Sequence, residues 1–100
     1  MISIIGPRGC GKTTKLFEAA RENNSIVLST NSRALREKAK SLGYRELEII
    51  GFGDLTNDNF SLGKEIMVDN AEYVLATFLE KFYGLKMKGF TASYENETRN

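Results

Sequence analysis

With 100 residues, 41% of them hydrophobic, and a net charge of +1, the chain has room for one domain with a folded core, and its near-neutral balance argues neither for nor against a nucleic-acid partner. The lack of histidine excludes His-ligated zinc and His-based acid–base catalysis, while a single cysteine excludes an internal disulfide framework and fits a reducing compartment. No apolar run of about 18 residues is present, so no membrane span is expected, and Lys12 interrupts the apolar start too early for a signal peptide; a cytoplasmic protein is the expectation.

The first element is an apolar β-branched run, Ile2–Ile5, which reads as a strand. It leads into Gly6-Pro7-Arg8-Gly9-Cys10-Gly11-Lys12-Thr13-Thr14, in which Gly6, Gly11, Lys12 and Thr13 satisfy the phosphate-loop pattern. A helix-forming stretch over 12–22 follows, so the strand–loop–helix context that the motif requires is present. Glycines let the backbone curl until successive N–H groups form an anion nest, and the helix start adds its positive end. In such a loop Lys12 reaches the β- and γ-phosphates, and the Thr13 hydroxyl sits on a bridging Mg2+. Arg8 either touches phosphate or is solvated. Cys10 reads as a small residue at a variable loop position.

A second strand is expected over 25–29 and a helix over 32–42, with Leu35, Ala39 and Leu42 on one face and Gly43 as its stop. A third strand is expected over 47–50. The Gly-, Asn- and Asp-rich segment 51–63 reads as an irregular loop with room for one helical turn. A fourth strand over 65–69 precedes a helix over Ala71–Tyr83, where Val74, Leu75, Phe78, Leu79 and Phe82 recur at helical spacing and Gly84 ends the pattern. A fifth strand is expected over 86–93, and residues 95–100 form a polar tail, leaving 1–94 as the domain. Alternating strands and helices predict an α/β fold: a three-layer open parallel sheet of about five strands with about three flanking helices. So small a domain leaves some sheet face or edge for a partner, which makes self-association an expectation.

The fourth strand, Ile66-Met67-Val68, ends in Asp69, which emerges at the carboxyl edge where the phosphate loop also lies. There it would hold the Mg2+ shell together with Thr13. The plainer alternative, that Asp69 or Asn70 caps the following helix, is compatible with that role.

With these residues in view, the chain resembles a P-loop NTPase: Gly6–Thr14 matches the Walker A loop and Ile66-Met67-Val68-Asp69 the Walker B strand. Within that superfamily it is most similar to the RecA-like and helicase-like branch, here in a minimal single-domain form. Ile26-Val27-Leu28-Ser29-Thr30-Asn31-Ser32-Arg33-Ala34-Leu35 resembles the branch's second motif, which touches the backbone of single-stranded DNA in helicases, and Thr91-Ala92-Ser93 resembles the polar strand lying between the two Walker strands. The resemblance implies ATP and Mg2+ as ligands, and Lys12, Asp69 and a general base as the catalytic groups. The branch usually carries that base as a glutamate directly after the Walker B aspartate. Here the place is Asn70, which accepts no proton as a carboxylate does, so Glu72 is the nearest substitute. Asp54 or Asp58 would have to swing in from the loop, and Glu65 stands at the wrong end of its strand. An arginine finger would have to come from a neighbouring subunit through Arg33, Arg36, Arg45 or Arg99.

The leading expectation is therefore an ATP-binding protein whose weak ATPase is stimulated by assembly or nucleic acid. The alternatives are a non-hydrolysing, nucleotide-gated regulatory module and, third, a small nucleoside or nucleotide kinase. The kinase shares the loop sequence but leaves little chain for a lid. No guanine-reading Asn-Lys-x-Asp stretch is present. Arg33, Arg36, Lys38 and Lys40 on one helix, and Lys81, Phe82, Tyr83, Lys86, Lys88 and Phe90 further on, are the candidates for a single-stranded nucleic-acid contact. Against that reading, Phe82 and Phe90 also fit core positions and helix lysines are ordinarily solvated.

Overall fold

A computed structural model describes residues 2–6, 9, 11–56, 64–92 and 96–99. The described residues form an α/β fold with strands β1 (Ile2–Ile5), β2 (Ile26–Leu28), β3 (Ile49–Ile50), β4 (Ile66–Val68) and β5 (Asn96–Arg99) and helices α1 (Lys12–Asn23), α2 (Ser32–Ser41), α3 (Phe52–Thr56) and α4 (Ala71–Tyr83). Strands β3, β2 and β4 make a parallel three-stranded sheet with β2 in the centre, and β1 pairs with β5 in a separate parallel pair.

The central strand organises the interior. Its side chains alternate between faces, as strand geometry demands. Val27 packs with Leu16, Phe17 and Ala20 of α1 and Leu35 and Ala39 of α2. Ile26 and Leu28 pack instead with Ile50 of β3, Val74 of α4 and, partly buried, Phe52 of α3. Such two-sided burial is why β2 and β3 read as continuous apolar runs.

Local chemistry sets the element ends. Asn31 caps α2 through its side chain, which accepts from the Ala34 N–H at 3.4 Å. At the end of α4, the N–H groups of Gly84 and Leu85 return to the carbonyls of Glu80 and Leu79. Tyr44, beyond α2, is buried against Phe17 with ring centroids 5.4 Å apart, and the Arg21 guanidinium lies 4.7 Å over its ring. This one aromatic ties α1 to the turn before β3.

Several sequence expectations are corrected. Residues 86–92 adopt no strand, and the fifth strand lies instead at Asn96–Arg99, inside the segment read as a polar tail. The reason is that strand pairing joins backbone groups, and β1 offers a row of them whatever side chains its partner carries. A single five-stranded sheet is not present among the described residues. Phe82 and Phe90, read as core, are 44% and 61% exposed. Of the apolar α4 positions Val74 alone is buried; Phe78 and Phe82 stack on each other and on Phe52 rather than on a strand. Strand β4 is likewise less covered than a doubly buried strand, with Ile66 46% exposed. The expected helical turn in 51–63 is α3, and 57–63, with Asp58, lies outside the described residues. No described helix is long and apolar enough to cross a membrane.

Candidate functional site

The carboxyl ends of β2 and β4 lie side by side because Leu28 pairs with Val68. One residue further on, Ser29 and Asp69 leave the sheet at the same edge. The Ser29 hydroxyl accepts the Asn31 N–H at 3.1 Å and donates a long 3.5 Å bond to Asp69 Oδ2. Asp69 remains in the ladder through its own N–H, which donates to Leu28 O at 2.9 Å.

The loop from β1 to α1 turns on two glycines in the left-handed region, Gly9 at φ +81° and Gly11 at φ +86°. A Cβ at either would touch nothing within 4 Å, so conformation and not space requires glycine there. Gly11 is the N-cap of α1, and it has no side chain to cap the helix. The N-cap residue therefore offers α1 no side-chain cap, and the first turn carries no acidic residue, which suits an anion.

Two adjoining cavities converge here. The first, about 420 Å³, is lined by Gly6, Gly9, Gly11, Lys12, Thr13 and Thr14 from the loop and start of α1, by Lys38 from α2, and by Asn70, Glu72 and Tyr73 from the start of α4. The second, about 220 Å³, is lined by Thr13, Lys38 and Asn70 again, with Ser29, Thr30, Asn31, Ala34, Leu35 and Asp69. The loop, the β2 end and the β4 end thus share one concavity. Burial holds the Asp69 carboxyl above the ordinary aspartate range, the Ser29 hydroxyl and the charges of Lys12 and Lys38 pull it down, and Glu72 pushes it up. The charges of Lys12 and Asp69 are therefore close enough to act on each other.

Asn70 adopts φ +51°, ψ +64°, and its side chain does not cap α4. Its carbonyl instead accepts from the Tyr73 and Val74 N–H groups. Asn70 therefore starts α4 through its backbone carbonyl, and helix initiation does not account for Asp69. The donors suit a hard cation: a Thr13 hydroxyl and an Asp69 carboxylate line one cavity. Among the described residues no three Asp, Glu, Cys or His side chains gather in one place. A Mg2+ there would need phosphate oxygens and water to complete its shell, as that ion ordinarily does.

Of the residues singled out from sequence, Gly6, Gly9, Gly11, Lys12, Thr13, Thr14, Asp69 and Glu72 are brought together; Pro7, Arg8 and Cys10 lie outside the described residues. Asp54 is not available as a base. It accepts the Gly51 N–H at 2.9 Å, closing the first turn of α3, and pairs with Arg36 at 3.5 Å. Arg36 is correspondingly no free finger, since its Nε also donates to Ile49 O at 2.9 Å. Arg33 and Arg45 are exposed, and Arg99 lies in β5. Ser29, Lys38 and Tyr73 were not singled out for this site. Ser29 was legible, because a small polar residue ending a strand beside the Asp69 strand must share its edge; Lys38 and Tyr73 depend on helix orientation, which no local pattern encodes. Compared with known proteins, the chain matches no family model, no curated protein and no solved structure.

Proposed function

We propose that this protein binds Mg2+ and ATP at the β1–α1 loop and hydrolyses ATP weakly on its own, with assembly or single-stranded nucleic acid raising the rate. The observation that carries this reading is the pair of adjoining cavities that share Thr13 and Asn70, one lined by Lys12 and the other by Asp69. The glycine turns and α1 N–H groups cradle the β-phosphate, and Lys12 reaches the γ-phosphate as a point charge. Thr13 and Asp69 hold the metal, which when bound offsets charge on the phosphate oxygens. Water attacks the γ-phosphorus, the bond to the β-phosphate oxygen breaks, and ADP leaves. Glu72, which lines the same cavity as Lys12, takes the proton from the attacking water.

The finer architecture belongs to the same proposal: one three-layer sheet in the order β1-β5-β4-β2-β3. Parallel β5 already lies beside β1, and the described partner of β4 is β2 alone. Inserting β5 between the two Walker-like strands reproduces the arrangement of the RecA-like branch that the sequence resembles.

A second reading, a nucleotide-gated module that does not hydrolyse, is favoured by Asn70. Its positive φ suits asparagine and strains glutamate, so the backbone itself disfavours the branch's usual base at this place. A nucleic-acid partner is supported by Tyr83 and Phe90, exposed by 66% and 61% and set among the exposed Lys81, Lys86 and Lys88. The test is titration of Mg·ATP and Mg·GTP against the wild type and Lys12→Ala. Tight binding of ATP by the wild type alone is expected, and equal binding by both proteins would remove the loop from the site. Phosphate release with and without single-stranded DNA then separates the hydrolase from the passive module.

A further inference from the structure

We infer that Lys38 contacts the terminal phosphate and lets the site distinguish a nucleoside triphosphate from a diphosphate, a role that rests on the nucleotide reading above. Lys38 belongs to α2, well separated in sequence from both the loop and Asp69, yet it lines both cavities together with Thr13 and Asn70. These shared residues mark the junction between the loop cavity, where the β-phosphate would rest, and the cavity holding Asp69. The end of a triphosphate and its metal must lie at that junction.

The cation is well placed to act there. Leu35 and Ala39, flanking it along α2, are 8% and 1% exposed, so the helix is packed and its register fixed. The start of the helix is held by the Asn31 cap and by the bond from the Asn31 N–H to Ser29, the residue that also contacts Asp69. A helix so fixed keeps the base of the Lys38 stem beside both cavities, and the flexible stem lets the ammonium follow a phosphate oxygen there. Its charge already acts on Asp69. Once Asp69 engages a divalent cation, the Lys38 charge is better matched by the added oxygens of a γ-phosphate, which ADP lacks. The role would also supply within one chain the second positive charge otherwise sought from a neighbouring subunit.

The test is calorimetric titration of the full chain with Mg·AMP-PNP and Mg·ADP, for the wild type, Lys38→Gln, Lys38→Arg and Lys12→Ala, alongside thermal melts without nucleotide. Loss of one charge-assisted contact should lower the triphosphate-to-diphosphate affinity ratio of Lys38→Gln by about tenfold to a hundredfold, with ADP affinity and melting temperature unchanged. Lys38→Arg should restore part of the ratio. An unchanged ratio, or equal loss for both nucleotides, overturns the role of Lys38 while leaving the nucleotide reading in place. Failure of the wild type to bind either nucleotide overturns both.

Discussion

Replacing Ser29 by alanine should destabilise the protein through the backbone of the β2–α2 turn rather than through Asp69. The hydroxyl is buried, with Ser29 4% exposed, and makes two bonds of unequal quality. The Asn31 N–H reaches it at 3.1 Å, an ordinary hydrogen bond, whereas the Asp69 contact at 3.5 Å stands at the limit of useful geometry. The first bond contributes about 0.5–1.5 kcal/mol net, and leaving the amide unpaired in a part-buried turn costs toward the lower end of about 1–3 kcal/mol. A loss of about 1.5 kcal/mol follows, which for a chain of this size lowers Tm by about 6–12 °C. The assay is thermal denaturation of Ser29→Ala, Asp69→Asn and the double variant at pH 7. If the long contact carries little, the double-mutant coupling energy stays below about 0.5 kcal/mol. A Ser29→Ala melt indistinguishable from wild type, or a coupling energy above about 1.5 kcal/mol, would refute the partition between the two bonds.

Other outcomes follow from the same geometry. Burial, the largest influence, raises the Asp69 carboxyl above its ordinary value, so the native state binds this proton more tightly than the unfolded chain. That disadvantage is absent below both values and grows as pH rises through the folded one; Asp69→Asn should therefore melt higher than wild type at pH 7, the gap closing near pH 3, while Mg2+-dependent nucleotide binding is lost. Equal melting of the two proteins at pH 7 would contradict it. Asn70→Gly should keep stability within about 0.5 kcal/mol, whereas Asn70→Glu, forced to positive φ, should lose about 1 kcal/mol in denaturant titration. Faster phosphate release by the Glu variant would locate the missing base at position 70, and unchanged release would leave the role to Glu72. Arg36→Ala removes the bond to Ile49 O and the half-exposed pair with Asp54, costing about 1–2 kcal/mol with nucleotide affinity unchanged. Lost turnover at full stability would restore Arg36 as a finger.

The legible parts of this fold are those in which one local pattern decides the outcome. Ile2–Ile5 and Ala71–Tyr83 carry unbroken strand and helix periodicity, and both fall where the pattern puts them. The loop glycines were legible because their spacing encodes a backbone path, two of whose turns are the positive φ values at Gly9 and Gly11. Asn96–Arg99 was illegible because Asn-Glu-Thr-Arg has no apolar alternation, and its pairing depends on an edge some 90 residues earlier in the chain. Phe82 misled for the opposite reason. Its spacing matched a buried helix face, but Phe52 of the short α3 occupies the groove, so the ring stacks at the surface. Tyr44 gave no periodic signal, since it follows a helix end, and is buried by Phe17.

One feature at the end of β4 opposes folding, and a residue with a left-handed backbone adjoins it. Asp69 is a partly buried carboxylate whose charged form is disfavoured by that burial, and Asn70 is a non-glycine residue at positive φ. An uncharged residue at 69 would relieve the burial penalty without disturbing Val74, which packs α4 against Ile26, Leu28 and Ile50. Helix initiation through the Asn70 carbonyl explains Asn70 but not the partly buried carboxyl before it. A disfavoured carboxylate at a strand end, lining a cavity with Thr13 at the start of α1, is the kind of local cost that the proposed site would impose on a scaffold. Asp69→Asn combined with Asn70→Gly should melt above wild type at pH 7 by about as much as Asp69→Asn alone and should lose Mg·ATP; if the pair stabilises nothing, the burial penalty assigned to the Asp69 carboxylate is not there.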